Sequence, residues 1–304
     1  MQTVKRNGLR LTALIGAGVL LLSACGGGGD SASSGDATGG GSDGEPTKGG
    51  TINVLTLLEQ FNHLDPQRNY TGVDLAFASA YLNRTLTSYQ LAPGPDGVVL
   101  VPDMATDTGT SNEDGTSWTF TLRDGVSFQD GSPIVCDDIK YGVSRTFATD
   151  VITDGPGFAL TMLNVPTDDE GASIYKGPYA ENTPEAQAAF DEAITCSDDG
   201  KTITFNLNQP VGDFNYALTL SAFSPVPKAS DTGEKYDDAV VSSGPYQVTE
   251  YTKGQKLVLD RNPNWNADSD PIRKAWPDKV VVSFAIDASA IDQRIIADAG
   301  EDQT

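Results

Sequence analysis

Alternating apolar and polar positions predict the main β-strands of the chain. Residues 51–57 (TINVLTL) form a β-branched apolar run suited to a buried strand. Two later stretches share one pattern, an acidic turn ending in glycine followed by alternating residues, at 113–122 and again at 198–207. In both, apolar side chains occupy every second position, which gives each strand one core face. The shared pattern predicts that these two strands are neighbours in one sheet.

Helical spacing of apolar residues predicts three helices. The first runs over 73–86, with apolar positions at Leu75, Phe77 or Ala78, Tyr81 or Leu82, and Leu86. The second begins at Asp137 and Asp138, two carboxylates that favour a helix N-terminus. Ile139, Val143 and Phe147 then follow on one face of this helix. A third opens at Thr183-Pro184-Glu185. Strands and helices together predict a mixed α/β protein.

The charge balance excludes one class of partner. The 304 residues include 42 Asp plus Glu against 20 Lys plus Arg, for a net charge of −22. Such a field repels a phosphate backbone, so we expect no nucleic-acid partner. The hydrophobic content of 38% suits one large globular domain or two ordinary ones.

The first 24 residues have the pattern of a signal peptide. Lys5, Arg6 and Arg10 precede an apolar run over 11–22, which is shorter than the roughly 20 residues that a spanning helix needs. The string Leu-Ser-Ala-Cys that ends at Cys25 resembles the bacterial lipobox, which implies a lipid on Cys25 as the first mature residue. The alternative is a plain secretory signal with an incidental cysteine. Residues 25–48, rich in Gly, Ser and Asp, are expected to form a disordered tether.

Two further cysteines are predicted to form a disulfide. Cys136 and Cys196 each lie beside one of the two paired strand units, in a protein that works outside the reducing cytosol. The alternative is two separately buried thiols.

The sequence offers little for catalysis. His63 is the one histidine, and neither a zinc-binding motif nor a phosphate-binding glycine loop is present. We therefore expect no enzyme, no cofactor and no metal site. The competing class is a lipid-anchored hydrolase of glycosidase type, which could work through two carboxylates without histidine. Nothing in the chain singles out such a pair.

Five motifs, in order along the chain, carry a family resemblance. The string WTFTLRDGVSFQDGSP at 118–133, followed by Asp-Asp-Ile at 137–139, resembles the signature of extracytoplasmic solute-binding proteins of the peptide and nickel type, which serve bacterial ABC importers. The other matches are LDP at 64–66, SPVPK at 224–228, SGPY at 243–246 and KGQ with LDRNP at 253–263. The resemblance implies a monomeric receptor on the outer face of the cell membrane. It would capture a solute, a peptide first of all, and deliver it to the permease subunits. A metal chelate or a sugar is the alternative solute.

The resemblance also implies an architecture. It predicts a lobe of the periplasmic-binding-protein type II kind, built from residues 49–83 and 228–304, with an inserted α+β subdomain at 84–227. Family members continue from this point through a second lobe. The resemblance therefore predicts that this chain is truncated before that lobe.

The predicted ligand site also follows from the resemblance. Tyr70, Thr71, Gly72 and Val73 match the lobe-one stretch whose backbone pairs with bound peptide, and the missing Cβ of Gly72 would permit close approach. The alternative is that Gly72 only ends the turn before the helix. Phe158, after Gly-Pro-Gly, matches an aromatic residue of the inserted subdomain that reaches the cleft.

Overall fold

A four-stranded sheet holds the two ends of the folded chain together. In the computed structural model, which describes residues 47–300, strand β1 (Thr51–Leu55) pairs in parallel with β10 (Lys279–Ser283). Antiparallel β9 (Lys256–Arg261) and β8 (Tyr246–Thr252) complete the order β1-β10-β9-β8. The predicted first strand ends two residues early, because Leu57 and Leu58 are exposed beyond the sheet. The predicted signal peptide, Cys25 and nearly all of the tether lie outside the described residues.

A second sheet contains the two strands with the shared sequence pattern. Its order is β4 (Thr110–Ser111), β5 (Ser117–Thr121), β7 (Thr202–Asn206) and β6 (Ile194–Cys196), all antiparallel. Strand β5 pairs with β7 so that Trp118 lies opposite Phe205. The predicted neighbour relation is confirmed. A two-stranded ribbon, β2 (Thr87–Tyr89) with β3 (Leu100–Pro102), belongs to neither of these sheets.

Six α-helices are described between residues 47 and 300: α1 (Gly72–Tyr81), α2 (Cys136–Arg145), α3 (Phe158–Met162), α4 (Pro184–Ala193), α5 (Phe214–Ala217) and α6 (Ala288–Ala297). Two begin at caps that the sequence indicated. Thr183 accepts a hydrogen bond from the backbone N–H of Ala186, and Asp138 accepts one from that of Val135. No helix among these residues is long and apolar enough to cross a membrane.

The prediction that the first helix continues to Leu86 is wrong. Helix α1 ends at Tyr81, because the carbonyl oxygen of Leu82 accepts hydrogen bonds from the backbone N–H groups of Ser243 and Gly244. These contacts come from residues far along the chain and replace the next helical turn. Leu86 is buried, but in a different core from that of α1.

Two hydrophobic cores fill the described region. One draws all its buried members from residues 86–223, and the other draws them from residues 61–82 and 226–284. The predicted disulfide is present in the first core, where it joins the start of α2 at Cys136 to the end of β6 at Cys196, with 5.7 Å between their Cα atoms. It links a helix to the sheet on which that helix packs.

Candidate functional site

The loop between β1 and α1 carries the predicted ligand residues at its far end. Residues 64–69 are buried, whereas Tyr70 and the first residues of α1 are exposed. A loop normally runs over the surface, so burying one calls for partners for its polar groups. Most have them here, although both side-chain amide atoms of Asn69 are buried without a hydrogen-bond partner. The contacts of this loop therefore fix the position of Tyr70 and of the start of α1.

Asp65, the acid of the Leu-Asp-Pro motif, forms a buried ion pair with Arg145 at the end of α2. The Nη1 atom of Arg145 lies 2.8 Å from Oδ1 of Asp65, and Nη2 lies 2.6 Å from Oδ2. Neither side chain is exposed to solvent. Nη1 also donates to the side-chain oxygen of Gln67. This bidentate geometry, together with the further hydrogen bond, offsets the cost of removing both charges from water.

Asp231 forms a second ion pair with Arg145, through the Nε atom. Its Oδ2 lies 3.2 Å from Nε of Arg145 and accepts hydrogen bonds from the hydroxyls of Tyr141 at 2.7 Å and Tyr179 at 2.6 Å. Burial and these bonds to Asp231 raise the pKa of both tyrosines above the usual range. Burial lowers the pKa of Arg145, but the bonds and charge of Asp65 outweigh that effect and the pKa is raised. The arginine thus stays cationic and the tyrosines stay donors.

Asp237 fixes the start of the same loop. Its Oδ1 accepts from the backbone N–H groups of Leu64 at 2.6 Å and Asp65 at 2.9 Å. Its Oδ2 lies 2.7 Å from Nδ1 of His63. In this structure the histidine therefore helps to hold the loop.

Gly155 brings the α3 region against the loop. A Cβ on Gly155 would overlap the backbone oxygen of Gln67, so only glycine allows this approach. The side chain of Gln67 in turn donates to the carbonyl oxygens of Ala222 at 3.3 Å and Ser224 at 3.1 Å. The loop and the start of α3 thus become neighbours through backbone contact.

Two of the predicted ligand residues meet in one cavity. Tyr70 and Phe158 both line a shallow cavity of about 290 Å³, together with residues 155–157 and Thr161. Tyr70 is 53% exposed, and Phe158 is half-buried against the first core. The cavity therefore presents two aromatic rings from distant parts of the sequence to solvent.

The other three predicted residues form the exposed start of α1 beside Tyr70. Thr71 caps the helix by accepting from the backbone N–H of Asp74 at 3.4 Å. A Cβ placed on Gly72 would meet no atom within 4 Å, and Val73 is exposed. Nothing in the described fold covers this backbone.

The buried residues that hold the exposed site residues in place could not be predicted from the sequence. Arg145 carries no local signal, since its partner Asp65 is 80 positions away. Asp65 itself entered the sequence analysis only as part of the Leu-Asp-Pro motif. Within residues 47–300, no group of three or more His, Cys, Asp or Glu side chains could hold a metal ion.

Known proteins share both the sequence pattern and the fold. The profile described as "Bacterial extracellular solute-binding proteins, family 5 Middle" matches residues 99–301. The oligopeptide-binding protein OppA of Bacillus subtilis is 26% identical over 170 residues, which cover 54% of this chain and 28% of that protein. The periplasmic oligopeptide-binding protein OppA of Escherichia coli is 28% identical over 160 residues, which cover 51% of this chain and 27% of that protein.

Solved structures extend the likeness to most of the fold. The clavulanic acid biosynthesis oligopeptide binding protein 2 superimposes with a TM-score of 0.74 at 37% identity, over 83% of this chain and 43% of that one. The Listeria monocytogenes OppA bound to peptide gives a TM-score of 0.62 at 18% identity, over 82% of this chain and 45% of that one. The chain thus spans less than half the length of the proteins it matches.

These matches confirm the predicted fold class, an α/β lobe of the periplasmic-binding-protein type II kind. They also agree with the motifs, since the matched profile includes the region of the signature at 118–133. The chain belongs to family 5 of the bacterial extracellular solute-binding proteins.

Proposed function

We propose that this protein captures a peptide outside the cytoplasm and delivers it to the permease subunits of an ABC importer, without catalysing a reaction. One observation carries the proposal: Tyr70 and Phe158 share a cavity beside an uncovered stretch of backbone at 71–73. The relatives named above as oligopeptide-binding proteins support a peptide as the solute.

The chemistry of this surface suits an extended peptide. Exposed backbone can pair with a peptide main chain whatever its side chains are, which gives affinity without sequence selectivity. The first N–H groups of a helix have no partner within the helix and can serve as donors. The rings of Tyr70 and Phe158 offer apolar area to a neighbouring side chain.

The substitution Gly72→Val tests this site. We expect it to weaken peptide binding by at least about tenfold, or 1.4 kcal/mol, because the branched side chain would stand where the peptide backbone approaches. The fold itself should tolerate it, since a Cβ at Gly72 meets no atom within 4 Å. Titration calorimetry on the full-length protein with tetra-alanine measures the effect.

Gly212→Val is the matched control. A Cβ on Gly212 also meets no atom within 4 Å, and Gly212 does not line the cavity shared by Tyr70 and Phe158. This variant should bind tetra-alanine as the unmodified protein does. Equal affinity for both variants would exclude the backbone at 71–73 as the peptide site.

The two cores support a proposed domain division. Residues 49–83 and 228–304 would form lobe one, and 84–227 the inserted subdomain. Apart from Val226, which belongs to the second core, the buried members of each core fall on one side of these boundaries. On this proposal the Asp65–Arg145 pair joins lobe one to the inserted subdomain.

We also propose that a lipid on Cys25 holds the protein on the outer face of the cell membrane. The string Leu-Ser-Ala-Cys and the glycine run after it support this anchor. Cys25→Ser should move the protein from the membrane fraction to the soluble fraction, whereas Ser33→Ala in the same segment should not. Immunoblots of fractionated cells give the result. A Cys25→Ser variant that stays with the membrane would favour another mode of attachment.

A further inference from the structure

The one histidine of the chain, His63, lies between two carboxylates from distant segments. Its Nδ1 atom lies 2.7 Å from Oδ2 of Asp237, and its Nε2 atom lies 3.6 Å from Oδ2 of Asp154. The ring is largely buried, with 16% of the side chain exposed. Each ring nitrogen therefore faces a carboxylate oxygen.

Only a protonated ring suits both contacts. A neutral imidazole has one N–H group and one lone pair, whereas the imidazolium cation has two N–H groups. At 2.7 Å from Asp237, the neutral ring carries its proton on Nδ1, so the lone pair of Nε2 faces the carboxylate of Asp154. A proton on Nε2 turns this repulsive contact into an attractive one.

The charges in direct contact with His63 leave room for that proton. The Nη1 atom of Arg68 lies 3.9 Å from Oδ2 of Asp237, and its Nη2 atom lies 3.8 Å from Oδ2 of Asp154. Two carboxylates and one guanidinium together leave a single negative charge. A protonated His63 neutralises it.

The other ionisable groups around this cluster have partners of their own or stay neutral. Asp65 pairs with Arg145, Asp74 accepts from the backbone N–H of Asn62, and Asp238 lies 2.7 Å from Lys253. Burial, together with nearby acids, raises the pKa of Tyr251 to about 12, so its hydroxyl keeps its proton. Histidine is the side chain that ordinarily changes charge near neutral pH, so His63 is the switchable group of this cluster.

The two acids belong to the two segments that form the cavity of the candidate site. Asp237 binds the start of the loop that leads to Tyr70. Asp154 directly precedes residues 155–158, which line the same cavity as Tyr70. Its φ of 70° is uncommon for a residue other than glycine, so its side-chain contacts help to fix this turn. His63 thus links the two segments.

We infer that His63 is a proton-dependent positioning residue of the peptide site, which joins the segment at 153–158 to the loop at 63–70 when its ring is protonated. This inference rests on the proposed function, because it takes the cavity of about 290 Å³ as part of that site. The contact with Asp154 is present in mildly acidic medium and is lost as the pH rises and the ring releases its proton. Peptide capture outside the cytoplasm therefore follows the pH of the surroundings.

Titration calorimetry with tetra-alanine at pH 5.5 and pH 7.5 tests the inference on the full-length protein. We expect the affinity to be about threefold higher at pH 5.5. The effect is modest because the side chain of Asp154 is 68% exposed, and solvent weakens such an ion pair. The peptide's own titration is the same for every variant, so comparison between variants removes it.

Two variants remove the proton-dependent contact. His63→Gln keeps a donor for Asp237 but carries no charge at either pH. Asp154→Asn keeps the size of the side chain and its tolerance of a left-handed backbone, and it loses the negative charge. Each variant should lose the gain of about threefold that the unmodified protein shows at pH 5.5. Asp169→Asn is the matched control, because it removes one exposed carboxylate outside this cluster and should keep the gain.

Hydrogen exchange of the peptide-free protein reads the same contact without a ligand. The backbone N–H of Thr161 donates to the carbonyl oxygen of Gly157, so its protection reports on the start of α3. After correction for the intrinsic effect of pH, this protection should be about threefold higher at pH 5.5 than at pH 7.5 in the unmodified protein. It should be equal at both pH values in His63→Gln.

The outcomes separate this inference from the proposed function. If tetra-alanine binds and both variants keep the gain at pH 5.5, the positioning role is wrong and the peptide function stands. If tetra-alanine binds none of the proteins, the peptide function is wrong, and the exchange data alone decide whether a proton on His63 joins the two segments. If one variant does not fold, the other decides.

Discussion

Replacing Arg145 with methionine is expected to lower the free energy of unfolding by about 3–5 kcal/mol, the range for breaking one side of a buried ion pair. The substitution leaves the carboxylates of Asp65 and Asp231 close together and without their cation, in a region where all three side chains are at most 2% exposed. Urea denaturation of the full-length protein, with the variant measured beside the unmodified protein, gives the difference.

The control replaces a cation in an exposed pair. Lys201 lies 2.7 Å from Asp124, with side chains 41% and 96% exposed. Lys201→Met should therefore change the free energy of unfolding by less than about 1 kcal/mol. If Arg145→Met cost no more than this control, the Asp65–Arg145 pair would not hold the loop as described.

Removing the disulfide should have an effect of similar size. A variant with alanine at both Cys136 and Cys196 is expected to lose about 4 kcal/mol, because the bond closes a loop with a sequence separation of 60. The cross-link acts mainly on the unfolded state, where it limits the conformations of the chain. Urea denaturation without reductant measures it.

A reductant supplies the control for this prediction. It should lower the denaturation midpoint of the unmodified protein and leave that of the double-alanine variant unchanged. An unmodified protein whose midpoint did not respond to reductant, with the thiols shown to be free, would mean that the bond contributes nothing to stability.

Local sequence patterns predicted two kinds of element. These were the strands that share a repeated pattern and the helix that begins at a capping residue close by in the sequence. The alternation at Trp118 and Phe120 and at Ile203 and Phe205 indicated two strands with one core face each, and the structure pairs them. Thr183 indicated a helix start through its capping hydroxyl. The end of α1 was not predictable in this way, because Ser243 and Gly244 determine it from far along the chain.

The candidate site shows the same limit. Its exposed residues were found through motifs that resemble a known family. The residues that position them were not found, since the burial of Asp65 against Arg145 and the contact of Gly155 with Gln67 join separate segments. A pattern along the chain records what a residue prefers locally, whereas these contacts exist only once the chain has folded.

The identity of the solute that the protein carries tests the proposed capture of a peptide most directly. The full-length protein would be purified from its own cells without denaturant, and the solute then released by denaturation and identified by mass spectrometry. We expect a peptide. A sugar or a metal chelate released in stoichiometric amount would contradict it.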